Sequence, residues 1–210
     1  MKLYGFWRSI ASYRVRVALH LKGLDFEEPQ VNLLEGHQFT PEFLAINPSG
    51  AVPALEIDGH MLTQSMAIME YLEERFPNPP LLPTDPWDRA EARALAQDTV
   101  ADAHPLFVPR VRKYLTVTFG ADEAAIQAWA GHWLAKGLQS YEVRLAKRPP
   151  APFVFGDTPG IADIAIKSHV VASGLFGVDM APFERVRALS ATLDGVDAFR
   201  RARPAAPQTV

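Results

Sequence analysis

Between residues 77 and 86 the chain reads Pro-Asn-Pro-Pro-Leu-Leu-Pro-Thr-Asp-Pro, five prolines in ten positions. Proline fixes φ and removes a backbone donor, so such a run resists both helix and sheet and serves as an extended connection. It separates two stretches of different character. Before it, short apolar runs alternate with helical patterns; after it, the helical period dominates. The expected organisation is a first domain over 1–76, a linker over 77–86, an all-helical domain over 87–203 and a loose Pro/Ala tail over 204–210.

The first stretch reads β-α-β-α-β-β-α. Lys2–Phe6 alternates as a short strand does, and Val15, Val17, Ala18, Leu19 and Leu21 give a largely apolar helix that ends at Lys22-Gly23, a basic last turn followed by a capping glycine. Phe26–Leu33 is expected as a second strand. Thr40-Pro41-Glu42-Phe43-Leu44 is a short helix with Thr40 as N-cap and Pro41 in its first position. Asn47-Pro48-Ser49-Gly50 is a turn, Ala51–Ile57 a third strand, Asp58-Gly59 a two-residue hairpin turn, His60–Leu62 a fourth strand and Ser65–Phe76 a helix.

The first strand meets the first helix at Arg8, Ser9 and Ser12. A helix N-terminus carries unpaired backbone N–H groups and the positive end of the macrodipole, so it favours an anion. Ser9 or Ser12 is equally suited to a plain N-cap, the usual work of serine before a helix. The local sequence leaves both readings open.

Beyond residue 86, helices are expected near Trp87–Tyr114, interrupted or kinked by Pro105 and Pro109, and over Asp122–Ala146, Ile161–Ser173, Phe183–Leu193 and Val196–Arg201. Gly160 followed by Asp163 fits a helix start in which the carboxylate accepts the capping residue's N–H. This pair reads as a folding element. The fold class is therefore α/β plus all-α.

Composition removes several functions. A formal net charge of −3 gives no footprint for nucleic acid. No apolar run approaches the ~20 residues of a membrane span, and the N-terminus opens into a strand pattern without a signal-like segment, so a cytoplasmic protein with no membrane partner is expected. The sequence contains no cysteine, which excludes disulfides, thiolate metal sites and cysteine nucleophiles together. Any thiol chemistry must use a thiol carried by a small molecule.

The Trp-Arg-Ser-x-x-Ser-x-Arg-Val-Arg-Val-Ala-Leu segment at 7–19 resembles the pattern of zeta-class glutathione transferases, the class that includes maleylacetoacetate and maleylpyruvate isomerases. The runs Asn47-Pro48, Val52-Pro53-Ala54-Leu55, Gln64-Ser65-Met66-Ala67-Ile68-Met69-Glu70-Tyr71-Leu72-Glu73-Glu74 and Leu81-Leu82-Pro83 are similar to the same family in order and spacing. His104-Pro105 and Phe-Gly-Ala-Asp-Glu-Ala-Ala-Ile at 119–126 resemble the bacterial maleylpyruvate isomerases. The resemblance spans nearly the whole chain. It implies an N-terminal thioredoxin-like domain that binds glutathione, a C-terminal helical domain that forms the electrophile pocket, and a homodimer.

By that resemblance Ser9 would hydrogen-bond the glutathione sulfur, with Ser12 as the alternative thiolate donor. Val52, before a cis Pro53, would be the backbone clamp for the cysteinyl part; Gln64 and Ser65 would hold the γ-glutamyl carboxylate, with Ser65 capping its helix. Gln38, read as an exposed loop residue, would reach the glycyl end. Arg8 and Arg110 would bind the carboxylates of a dianionic substrate, and His104 would join the same wall as a partner of glutathione or of substrate. Glutathione is the one cofactor implied, and no metal is needed.

The chain also departs from the family. Ile10 and Ala11 replace residues commonly small, polar or Cys, and Gly160 stands where Ser or Thr usually caps. Leu175 precedes Phe176 where the isomerases carry arginine, and Phe107-Val108-Pro109 replaces a polar stretch. The expected activity is glutathione-dependent cis–trans isomerisation of a maleyl compound. These departures motivate a transferase acting on an apolar or halogenated electrophile as the alternative, and a non-catalytic interaction domain is the remaining one.

Overall fold

The computed structural model describes residues 1–204, which divide into two compact units: one runs from Met1 to Leu81 and resumes at Val196, the other spans Leu82–Gly195. The tail expected over 204–210 lies, apart from Pro204, outside the described residues.

In the first unit, β1 (Lys2–Tyr4), β2 (Ala54–Ile57) and β3 (His60–Thr63) form an antiparallel sheet in the order β1-β2-β3. The Asp58-Gly59 turn joins β2 to β3 with both residues at positive φ, 50° and 77°, the handedness that a two-residue hairpin requires. The expected strand Phe26–Leu33 is present only as bridges running parallel to β1 at Glu27 and Gln30. Its backbone donates and accepts at Glu27, accepts at Pro29 and donates at Val31. Pro29, having no N–H, leaves a gap in the ladder, and the strand is cut there.

Helices α1 (Ile10–Leu21), α2 (Pro41–Ile46) and α3 (Ser65–Arg75) complete this part, with a single 3₁₀ turn over His37–Phe39. Helix α1 ends in a Schellman arrangement: the Gly23 N–H bonds to the His20 carbonyl at 3.1 Å, the Leu24 N–H to that of Leu19 at 3.0 Å, and Gly23 takes φ 65°. Thr40 caps α2 as expected, its hydroxyl accepting the Phe43 N–H at 3.3 Å. Leu3, Val15, Leu19, Leu55, Ile68 and Leu72 are fully buried, each contributing about 1.5–3 kcal/mol of apolar burial. Lys22 is buried as well. Its ammonium donates to the Glu73 carboxylate at 2.6 Å and to the Phe76 and Pro79 carbonyls, tying the end of α1 to the end of α3 and to the proline-rich stretch.

The second unit holds α4 (Pro86–Gln97), a π-helical stretch over Asp98–Ala103, α5 (His104–Phe107), α6 (Pro109–Phe119), α7 (Glu123–Ala146), α8 (Ile161–Leu175) and α9 (Glu184–Asp194). Asp85 and Asp122 cap α4 and α7 with side-chain oxygens. The expected segment Trp87–Tyr114 is thus three helices: Val108 is extended (φ −64°, ψ 155°), the conformation that Pro109 imposes on the residue before it. Inside this unit, the Thr99 hydroxyl lies 2.5 Å from the Tyr141 hydroxyl and 3.2 Å from His169 Nδ1, while His169 Nε2 lies 2.9 Å from the Leu134 carbonyl. A carbonyl only accepts, so Nε2 carries a proton toward Leu134 while Nδ1 faces the Thr99 hydroxyl.

The C-terminal helix α10 (Asp197–Arg201) corrects the expected division. Instead of closing the helical domain, it packs on α1 in the first unit. The cut between the units falls at Leu81–Leu82, inside the proline-rich stretch.

Candidate functional site

The register of the sheet brings four chain segments to one end of it. Tyr4 pairs with Ala54 and Ala54 with Thr63, so the turn after β1, the Val52–Pro53 peptide before β2 and the Gln64–Ser65 corner after β3 lie at the same end. The segment parallel to β1 leaves there too, on its way to Gln38.

At the start of α1, Ser9 is the N-cap, extended (φ −73°, ψ 122°), and its Oγ accepts the Ser12 N–H at 3.2 Å. Ser9 is half-buried and Arg8 beside it is exposed. Ser12 is fully buried, and its hydroxyl oxygen faces the Phe6 N–H at 3.4 Å. Of the two serines, Ser9 is therefore the accessible one. The turn itself is braced by Arg16, whose guanidinium donates to the Phe6 and Trp7 carbonyls at 3.4 and 3.1 Å and to Glu28 at 2.8 Å.

The Val52–Pro53 peptide is cis, with Pro53 buried and Val52 half-buried. β2 begins only at Ala54, so Val52 keeps its backbone outside the ladder. Gln64 occupies φ 72°, ψ 116°, a conformation costing a side-chain-bearing residue about 1–3 kcal/mol. It is Gln64, and not Ser65, that stands at the N-cap position of α3; Ser65 is the first helical residue, is buried, and accepts through Oγ from Arg14 Nε at 3.1 Å. Gln38 is likewise not an exposed loop residue. It lies in the 3₁₀ turn, 7% exposed, and its Oε1 has no hydrogen-bond partner. A buried amide oxygen without a donor is costly unless a ligand supplies one. The peptide N–H groups of glutathione are donors of that kind, and the two helix N-termini suit its anionic groups, so these residues fit the tripeptide thiol.

In the helical unit, His104 is the first residue of α5 and half-buried, with its ring centroid 5.3 Å from that of Phe107. Phe107 meets Phe176 edge-on at 5.5 Å, and the Arg112 guanidinium lies 5.5 Å over the Phe176 ring. Arg110 is exposed in the first turn of α6; two positions apart on a helix, it and Arg112 face different ways. Leu175, at the end of α8, is 44% exposed. Among the described residues no cluster of three or more His, Asp or Glu is placed to hold a metal ion, and no helix is long and apolar enough to cross a membrane.

Sequence reasoning missed Arg14 and Arg16, which are 1% and 5% exposed. The available signal was two cations set inside an otherwise apolar helix, where only a charge with fixed partners can remain.

This fold and site define a glutathione transferase type of protein: residues 1–74 match the family described as Glutathione S-transferase, N-terminal domain. The chain is 46% identical to a maleylpyruvate isomerase of a Ralstonia species over 207 residues, covering 98% of each. The solved holo structure of a maleylpyruvate isomerase, a bacterial zeta-class glutathione S-transferase, superposes over 100% of both chains with a TM-score of 0.97 at 46% identity. A maleylacetoacetate isomerase from Methylobacterium extorquens AM1, solved with bound malonate and glutathione, is 45% identical with a TM-score of 0.94 over 97% of this chain and 96% of that one. The chain belongs to the zeta-class glutathione transferases of the maleylpyruvate and maleylacetoacetate isomerase family.

Proposed function

We propose that this protein catalyses the glutathione-dependent cis–trans isomerisation of a maleyl compound, maleylpyruvate or maleylacetoacetate, in aromatic catabolism. The reading is carried by the assembly of the α1 N-terminus, the cis Val52–Pro53 peptide and the α3 N-terminus at one end of the sheet, in a chain similar along its length to isomerases of that kind. Glutathione, when bound, supplies a thiolate that adds reversibly to the cis double bond and leaves after rotation.

The protein's residues hold and aim. Ser9 already accepts the Ser12 N–H, so its own proton is available to a sulfur anion, and the α1 dipole favours the thiolate over the thiol. The Val52 backbone would pair with the cysteinyl part, Pro53 fixing its direction, and Gln64 and Ser65 would hold the γ-glutamyl carboxylate. Gln38 would take the glycyl end and His104 a further contact. Arg8 and Arg110 would offer guanidinium forks to the acceptor's carboxylates. That the Methylobacterium relative was solved with both malonate and glutathione bound supports a dicarboxylate acceptor. The first domain thus binds glutathione, and the helical one supplies the acceptor's surroundings. A cytoplasmic homodimer completes the reading on the resemblance alone; light scattering should return twice the 23.2 kDa of one chain.

A second reading has its own observation. Exposed Leu175 and the Phe107–Phe176 aromatic pair favour a less charged electrophile, acted on by addition or displacement. Offering the purified protein maleylpyruvate and a chlorinated aromatic acceptor in parallel, each with and without glutathione, decides the matter. Isomerisation that depends on glutathione supports the first reading; turnover of the chlorinated acceptor alone rejects it in favour of the second.

A further inference from the structure

We propose that Arg14 is the positioning residue of the γ-glutamyl subsite, acting through Ser65. The inference rests on the glutathione reading above and assigns a role to a side chain that reading leaves unused. Arg14 sits within α1 at 1% exposure, and a guanidinium so placed is retained only where its donors are engaged. Its Nε donates to Ser65 Oγ at 3.1 Å, linking residues 51 positions apart.

The consequence lies in the hydroxyl. Serine has one proton and two lone pairs, so an oxygen that accepts from Arg14 has its proton left to donate, and the cationic donor polarises that O–H. Ser65 is also the first residue of α3, where the backbone N–H has no intrahelical partner. Its O–H and N–H together form a two-donor seat for a carboxylate. Gln64, held at φ 72°, fixes the corner that presents both donors. Arg16, two residues on, makes the contrast: its donors go to the Phe6, Trp7 and Ala202 carbonyls and to Glu28, so it braces backbone, whereas Arg14 addresses a side chain that itself faces the ligand.

The test measures binding by calorimetry on the full chain, comparing glutathione with cysteinylglycine, which lacks the γ-glutamyl group. Losing a charge-assisted contact predicts that Arg14→Met weakens glutathione about ten- to hundredfold while cysteinylglycine changes less than about twofold. In a Ser65→Ala background the same substitution should add less than about twofold, because Arg14 then has no hydroxyl to aim. Should Arg14→Met fail to fold, Arg14→Lys keeps the charge but not the planar Nε donor, and it should give the same selective loss at smaller size. Equal weakening of both thiols, or a full second loss in the Ser65→Ala background, would overturn the proposal. Failure of the unmodified protein to bind either thiol would instead overturn the glutathione reading, and the proposal with it.

Discussion

The Arg16 guanidinium donates through Nε to the Ala202 carbonyl at 3.1 Å, a bond between residues 186 positions apart. The same side chain holds the Phe6 and Trp7 carbonyls and the Glu28 carboxylate, so one cation fastens the turn that carries Ser9 and anchors the C-terminal helix to it. Replacing it leaves the Trp7 and Ala202 carbonyls and a largely buried carboxylate without that donor, while the Phe6 carbonyl keeps the Ser9 N–H at 2.8 Å. Arg16→Leu should cost about 3–5 kcal/mol, seen in urea unfolding as a lower midpoint with an unchanged slope. A loss below about 0.5 kcal/mol would mean that the bonds are not made in solution.

Ser9 and Ser12 are both hydroxyls at one helix start, yet they should respond differently. Ser9→Ala removes an N-cap and the proposed sulfur donor. It should lower stability by about 1 kcal/mol and turnover by about a hundredfold or more, with glutathione affinity nearly kept. Ser12→Ala, with its oxygen turned to the Phe6 N–H, should act on stability alone. Steady-state kinetics beside thermal melts will separate the two; a larger loss of turnover at Ser12 would reverse the assignment.

The features read correctly from sequence are those whose cause is local. The Thr40 cap, the Asp58-Gly59 turn, the Gly23 terminus and the break at Pro109 each follow from the chemistry of one or two adjacent residues. What was not legible depends on partners far along the chain. The burial of Gln38, of Arg14 against Ser65 and of Arg16 against Ala202 follows from tertiary packing, as does the return of α10 to the first unit. The π-helical stretch before His104 belongs here too: Asp98 within it accepts from Ser140 and Arg144, and the Thr99 hydroxyl meets Tyr141 and His169 on other helices. Gln64 was recognised as a strand-to-helix corner, but nothing local announces its positive φ.

Asp163 makes a pH-dependent prediction. Burial raises its carboxyl from 3.8 to about 6, against the lowering effect of the Gly160 and Val154 N–H groups it accepts at 2.9 and 3.0 Å. A raised folded-state value means that the folded chain holds this proton more tightly than the unfolded chain. Its contribution is therefore complete below about pH 4 and is lost as the pH climbs through about 6, a change of about 3 kcal/mol. Asp163→Asn removes that titration. Its oxygen can serve only one of the two N–H groups well, so the variant should be less stable overall, and the gap from the parent should narrow between about pH 4 and pH 6.5. Chemical unfolding across that range gives the difference directly; a constant gap would refute the raised value.

Leu175 offers the sharpest test of acceptor chemistry. It ends α8 with 44% of its surface exposed, so a larger side chain can be accommodated there with little strain. A cation in the last turn of a helix is favoured by the macrodipole, so Leu175→Arg should change stability by less than about 0.5 kcal/mol. If the acceptor is a dicarboxylate, the added guanidinium strengthens binding of its charge, and kcat/KM for maleylpyruvate should rise about tenfold, mostly through KM. Turnover of a neutral chlorinated acceptor should stay level or fall, because the new charge must be desolvated against it. A gain for the neutral acceptor with none for maleylpyruvate would show that the protein favours apolar electrophiles.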